Sequence, residues 1–414
     1  MARSLIVTSN FPPVRGGSAT VYYNLALYCD GCIEVLAPER DWRNGEPLAG
    51  IVTSDAEAPF RIWRIPFVRR PAVGSTPFFR RASVTKILDI LHVLRSFLCI
   101  RNICRTSKIE AICIGELIYG GWLVWPCRYL LRKKVVIYVH GEEITKINDN
   151  YLSNHWKSWF LRHADAIIVV STFTRDAVIT MFRIDLSKVF LIQNGVDHLQ
   201  FFVCPQKNAG LAARLGLDGK VVLLTLGRLV ERKGIDKMLR ALPEIQRHVP
   251  NIHYVIVGEG PYRLELERLV ADLDLAETAT LVGDIDDSDR IDYYNLAHLF
   301  VMPNRMLDDG DTEGFGLVFL EANACGKPVI GGKDGGVPDA VRDGVSGLLV
   351  DGTDVTEIAA ATIRLCTDRD LYQSLCRGAV DRAATAGWDI QVNSYQRLVN
   401  QLCRSDRRDN TLTG

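Results

Sequence analysis

The chain has no surplus of charge of either sign. Lys plus Arg and Asp plus Glu each number 49 in 414 residues, so it lacks the overall positive field that draws nucleic acid. It also lacks a membrane-spanning run, because Asp89, His92 and Arg95 interrupt the apolar segment Ile87–Leu98. No G-x-G-x-x-G turn follows the first strand-like segment. Phe11-Pro12-Pro13-Val14-Arg15-Gly16-Gly17-Ser18 puts two prolines there, which argues against a nicotinamide dehydrogenase. Cysteine is not scarce, at eleven, but its pairing patterns are. Cys29 and Cys32 form a lone C-x-x-C with no second pair for zinc, and the others sit mostly in apolar segments such as Ile112-Cys113-Ile114. That distribution suits reduced thiols. Met1-Ala2-Arg3-Ser4 passes straight into Leu5-Ile6-Val7 without the apolar core and cleavage site of a secretory signal, so a cytoplasmic protein is expected. Solenoid repeats and low-complexity tracts are absent too.

What remains is ordinary globular composition, 48% hydrophobic and 24% charged, with length for two domains. Strand-like apolar runs alternate with helical patterns, as in parallel sheets covered by helices. A first series comprises Leu5–Thr8, Glu34–Ala37, Arg61–Ile65, Ala111–Gly115, Val135–Val139, Ala166–Val170 and Val189–Ile192. A second comprises Val221–Leu226, His253–Val257, Ala279–Val282, Leu299–Met302, Pro328–Ile330 and Gly347–Val350. Between them, Asn194 to Gly219 mixes Gly, Pro, Asn and polar residues like an inter-domain connector. Two doubly wound α/β domains are expected, 1–200 and 201–387.

The most informative stretch runs from Thr312 to Ile330. It predicts an acidic loop, a glycine turn, a helix opening near Gly316, a stop at Gly326-Lys327-Pro328 and an apolar strand. A helix opening with free backbone between Gly314 and Gly316 is suited to phosphate. Glu313 precedes the helix and Glu321 lies more than a turn inside it, so the two can grip different parts of one elongated ligand. Upstream, Gly227-Arg228 and Arg232-Lys233-Gly234 follow a strand end, where open parallel sheets bind ligands. Arg228 offers a bidentate fork and Lys233 a point charge, together enough to neutralise a diphosphate without metal. Gly258-Glu259-Gly260-Pro261 is a further strand-end turn, and His140-Gly141-Glu142-Glu143 closes a strand of the first series.

In this order, these motifs together with Val170-Ser171-Thr172-Phe173-Thr174, Asn194-Gly195-Val196-Asp197 and Gly335-Gly336-Val337-Pro338-Asp339 resemble family-four retaining glycosyltransferases of the GT-B fold. The resemblance spans nearly the whole chain. It implies two Rossmann-like domains facing a cleft, the first on the acceptor side and the second holding a nucleotide-sugar donor, with a helix at 388–404 crossing back to the first. It implies catalytic roles for His140, Glu313, Arg228 and Lys233. Donor contacts would come from Gly17, Gly258, Gly260, Phe315, Gly316, Leu317 and Glu321, with Glu321 on the ribose. Arg15, Gly16 and Glu142 would stand on the acceptor side. The transferred hexose would come from GDP-mannose ahead of UDP-glucose or UDP-N-acetylglucosamine, because the Asp311–Gly326 pattern looks most like phosphoinositol and exopolysaccharide mannosyltransferases. The acceptor would be a glycan or lipid-linked species of envelope or exopolysaccharide synthesis.

No cofactor or metal is expected. The D-x-D strings at 284–286, 287–289 and 309–311 lie in polar loops, and the cations already supply the charge. Hydrolysis by paired carboxylates is disfavoured by the separation of Glu313 from Glu321. A same-fold nucleotide-sugar epimerase and a non-catalytic binding module remain as rivals. Segment 61–108 carries eleven Lys or Arg against one acid, Asp89, among aromatic and apolar residues. It suits an anionic membrane surface at the inner face or, equally, a solvated basic face over a core helix.

Overall fold

The computed structural model describes residues 1–41, 44–66, 83–145 and 151–411. Arg69, Arg70, Arg80 and Arg81 of the basic segment lie outside the described residues. Two all-parallel sheets form the frame. The first contains β1 (Ser4–Val7), β2 (Ile33–Pro38), β3 (Ile62–Ile65), β4 (Ala111–Ile114), β5 (Lys134–Val139), β6 (Ala166–Val169) and β7 (Val189–Leu191), ordered β3-β2-β1-β4-β5-β6-β7. The second contains β8 (Val221–Leu226), β9 (Ile252–Val257), β10 (Ala279–Gly283), β11 (Leu299–Met302), β12 (Val329–Gly332) and β13 (Gly347–Val350), ordered β10-β9-β8-β11-β12-β13. In both, strand order reverses beside the first strand of the series. That switch point opens a crevice at the carboxyl ends of the strands.

The strands are continuous apolar runs because helices cover both faces. β1, β4 and β6 are buried throughout, as is β9 despite His253, whose Nε2 is 2.9 Å from Thr280 Oγ1. A buried apolar cluster continues from Ile6 and Tyr138 through Phe201 and Trp388 to Phe300 and Phe319, so the two sheets share packing.

The chain crosses between the halves at Asn194-Gly195-Val196-Asp197. Val196 bridges Gly387 in parallel, with Val196 N donating to Ala386 O at 2.8 Å. Gly195 lies flat on Trp388, where a Cβ would sit 2.9 Å from the indole. From there the helix Trp388–Thr411 runs onto the first domain: Gln396 Nε2 donates to Ala2 O at 2.9 Å and Tyr395 Oη to Ser4 Oγ at 3.1 Å.

Candidate active site

The loops that leave β8, β10, β11 and β12 face those that leave β1, β5 and β6. The two halves come together where Gly314 meets His140: a Cβ on Gly314 would lie 1.8 Å from the His140 carbonyl oxygen. One on Gly336 would lie 1.9 Å from Gly314 O and 2.7 Å from Ser171 Oγ. Side chains join the same seam. Asp339 accepts from Thr172 N at 3.0 Å, Thr172 Oγ1 at 2.7 Å and Gln193 Nε2 at 2.9 Å. Several glycine-bearing motifs thus bring two backbones together.

The predicted helix opens at Leu317 and ends at Ala324, behind Gly316 in the left-handed region at φ 92°. A Cβ there would also strike Phe319 at 2.6 Å, so this turn requires glycine. Phe315 is buried, and Leu317 Cδ1 stands 3.8 Å from where a Gly17 Cβ would be, which puts the turn after β1 opposite the helix opening.

Lys233 Nζ donates to Glu313 Oε2 at 2.6 Å, with both side chains nearly covered. Burial alone would raise the Glu313 pKa, but Lys233 first, then Arg232 and the Phe315 amide hold it below the ordinary carboxylate value. The carboxylate is therefore ionised at neutral pH. Arg228, just past the end of β8, is exposed and makes no ion pair among the described residues. Its guanidinium is available for an anion.

Two side chains that sequence reasoning did not assign complete these clusters. Arg232 Nη1 donates to Asp311 Oδ2 at 3.2 Å, its Nη2 is 3.9 Å from Glu142 Oε2, and its buried Nε has no hydrogen-bond partner among the described residues. It was legible only as a neighbour of Lys233. Arg290 donates to Glu321 Oε2, which also accepts from Tyr294 Oη at 2.6 Å. The Arg290 guanidinium lies 5.3 Å from the Phe201 ring centroid. Burial would lower its pKa, but Glu321 raises it further, so the ion pair is maintained. Nothing in the local sequence marks Arg290, because its partner is distant in the chain.

On the first domain, His140 stacks on Tyr138 with centroids 5.0 Å apart and meets Tyr22 Oη through Nε2 at 2.7 Å. Burial pushes its pKa down to about 4, so it is neutral at pH 7. Glu143 accepts from the backbone N–H groups of His140 at 2.7 Å and Gly141 at 3.1 Å, fixing this turn. Burial lifts its pKa to about 7 despite those donors.

Five further predicted residues have surroundings of their own. Gly258 and Gly260 are required by packing against the neighbouring strand-end turn: Cβ atoms there would lie 2.0 Å from Gly227 O and 2.2 Å from Leu229 O. Arg15 is engaged across the cleft, its Nη1 2.7 Å from Asp284 Oδ2 and its Nη2 3.2 Å from Asp286 Oδ1. That guanidinium also faces the D-x-D string at 284–286. Glu142 is exposed and turned toward Arg232, while Gly16 at φ 156° has nothing within 4 Å of a Cβ position.

Residues 15–199 match the model described as Glycosyltransferase Family 4, and residues 211–381 match Glycosyl transferases group 1. A GDP-mannose-dependent alpha-(1-6)-phosphatidylinositol monomannoside mannosyltransferase of Mycolicibacterium smegmatis is 41% identical over 374 residues, 88% of this chain and 89% of that protein. A protein of the same description from Mycobacterium tuberculosis is 30% identical over 94% of this chain and 95% of its own. Among solved structures, Anabaena HepE in complex with UDP and glucose aligns with a TM-score of 0.76 at 18% identity, covering 97% of this chain and 99% of its own. Sucrose-phosphate synthase from Thermosynechococcus elongatus aligns at 0.75 and 21% identity, covering 98% and 100%. At these identities the solved structures bear on the fold alone, and that fold is GT-B.

Proposed function

The chain belongs to the family-four glycosyltransferases, and from that premise we propose that it moves mannose from GDP-mannose to a lipid-linked, phosphatidylinositol-mannoside-like acceptor, with retention at the anomeric carbon. The single observation that carries the donor site is the Lys233–Glu313 pair at 2.6 Å, with Glu313 on the loop leading to the helix opening at Leu317; Arg228 follows β8, exposed and without an ion pair among the described residues. Mannose and the lipid acceptor rest on the two mycobacterial relatives.

In this reading a bound diphosphate takes Arg228 and Lys233 as counter-charges. Glu313, kept ionised by Lys233 and Arg232, accepts from hydroxyls of the sugar. The bond from the anomeric carbon to phosphate oxygen breaks, and the acceptor oxygen bonds on the same face. Its proton passes to the departing phosphate. Arg290 and Tyr294 hold Glu321 through Oε2, which leaves Oε1 to meet the ribose. Gly17 and the Phe315–Leu317 amides line the same opening, and no metal is assigned a role.

An anionic membrane surface is part of the proposal. No helix among the described residues is long and apolar enough to cross a membrane. Supporting a peripheral contact, the first domain exposes Leu94 and Leu98 beside Arg95 and Arg101, and Trp125, Tyr129 and Trp156 with Arg128 over the Tyr129 ring. Flotation with anionic vesicles should carry the protein up, and Trp125→Glu with Trp156→Glu should keep it down. No flotation of the wild type removes this part.

The deciding experiment offers GDP-mannose, UDP-glucose, UDP-N-acetylglucosamine and ADP-glucose with a phosphatidylinositol mannoside, with and without EDTA, and reads the product by NMR. An α-mannoside from GDP-mannose, unaffected by EDTA, is expected. Donor consumed without acceptor would indicate an epimerase, and binding without turnover a non-catalytic module.

A further inference from the structure

Tyr22 is buried on the helix Gly17–Leu27, and its phenolic oxygen meets two polar atoms. One is the carbonyl oxygen of Gly115, immediately past β4; the other is His140 Nε2, at 2.7 Å. Gly115 makes this possible. A Cβ there would sit 2.8 Å from Tyr22 Cζ and 2.9 Å from its oxygen, so any side chain would push the ring away.

The protons can be counted. A phenol has one to give, and a carbonyl has none. Two bare acceptors in that contact would repel, so the phenol proton must lie on the Gly115 side. Only lone pairs of the Tyr22 oxygen then face His140, and Nε2 must be the donor. Burial, followed by Glu116, raises the Tyr22 pKa well above its usual value, so the phenol keeps its proton. The imidazole is neutral and has a single N–H, which Nε2 uses. Nδ1 is left as an acceptor. The ring cannot easily turn to exchange them, being stacked on Tyr138 at an interplanar angle of 20° and edge-on to Tyr22 at 76°.

We propose that Tyr22, with its phenol committed to Gly115, is a positioning residue that locks His140 as the Nε2–H tautomer, so that Nδ1 can only accept a hydrogen bond from a hydroxyl of the donor sugar. The last clause rests on the proposed donor site and on the role the family resemblance implies for His140, whose carbonyl meets Gly314 of that site; the tautomer lock does not. It also restricts specificity, since a donor lacking that hydroxyl, or carrying an ether there, has nothing to give Nδ1.

Long-range proton–nitrogen correlation spectra of histidine-labelled protein, with His140 assigned by difference from His140→Gln, read the tautomer directly. At pH 7 the wild type should show protonated Nε2 and unprotonated Nδ1. Tyr22→Phe should give a mixed tautomer and lower kcat by about 10- to 100-fold, with the donor KM changing by less than about threefold. Protonated Nδ1, or an imidazolium, in the wild type overturns the lock even if Tyr22→Phe fails to fold. An unchanged tautomer or unchanged kcat in a folded Tyr22→Phe overturns the positioning role. A locked tautomer in a protein that transfers no sugar would sustain the lock and contradict the glycosyl-transfer reading, so the two fail separately.

Discussion

At the scale of single residues, the site is a balance between a covered carboxylate and the cations that keep it ionised. Lys233→Ala removes the first counter-charge of Glu313 and leaves Arg232, so destabilisation should fall toward the lower end of about 3–5 kcal/mol. The pH dependence has a definite sign. Glu313 has a folded-state pKa below its unfolded value of about 4.3, so its contribution is present above that pH and is lost as pH falls through the folded value. In Lys233→Ala the acid-side loss should begin at higher pH, read from urea midpoints between pH 3 and 7; coincident profiles would mean that Lys233 does not hold the carboxylate down. Glu313→Gln keeps the shape but removes the charge. It should lower kcat by about 10²–10³ and, because covered Lys233 loses its counter-charge, also lower the melting temperature, measured by initial rates and melting.

At the scale of elements, the helix Leu317–Ala324 depends on one backbone angle. Gly316→Ala forces a side chain into the left-handed region and against Phe319, which should cost about 1–3 kcal/mol and reduce donor binding, by denaturation and calorimetry. A melt identical to wild type would show that the turn tolerates a Cβ. This helix was legible because Gly314, Gly316 and Gly326 punctuate it within a dozen or so residues. The strands were equally legible, since β8 and β11 begin and end where apolar runs do. Contacts between distant segments were less so. Arg290 finds Glu321 and Arg15 finds Asp284 only once the sheets are assembled, and no local pattern announces either partner. Gly258 and Gly260 illustrate a related point: a glycine needed by a ligand and one needed by an adjacent carbonyl look alike in sequence.

At the scale of the whole molecule, two halves meet along a seam of glycines and ion pairs. Gly314→Ala sets a Cβ against the His140 carbonyl and should part the halves while leaving each sheet folded. Small-angle scattering should then show a larger radius of gyration, with far-UV dichroism unchanged. Arg15→Glu should act the same way more weakly, since its partners are exposed and salt-screened. Unaltered scattering from both would mean that these contacts do not hold the cleft. The central claim is that Arg228, Lys233 and Glu313 converge on one activated hexose. A crystal structure of the protein with GDP-mannose tests it most directly. The diphosphate should lie within hydrogen-bonding distance of Arg228 and Lys233, with the mannose hydroxyls on Glu313. A nucleotide seated away from these three side chains would contradict the account.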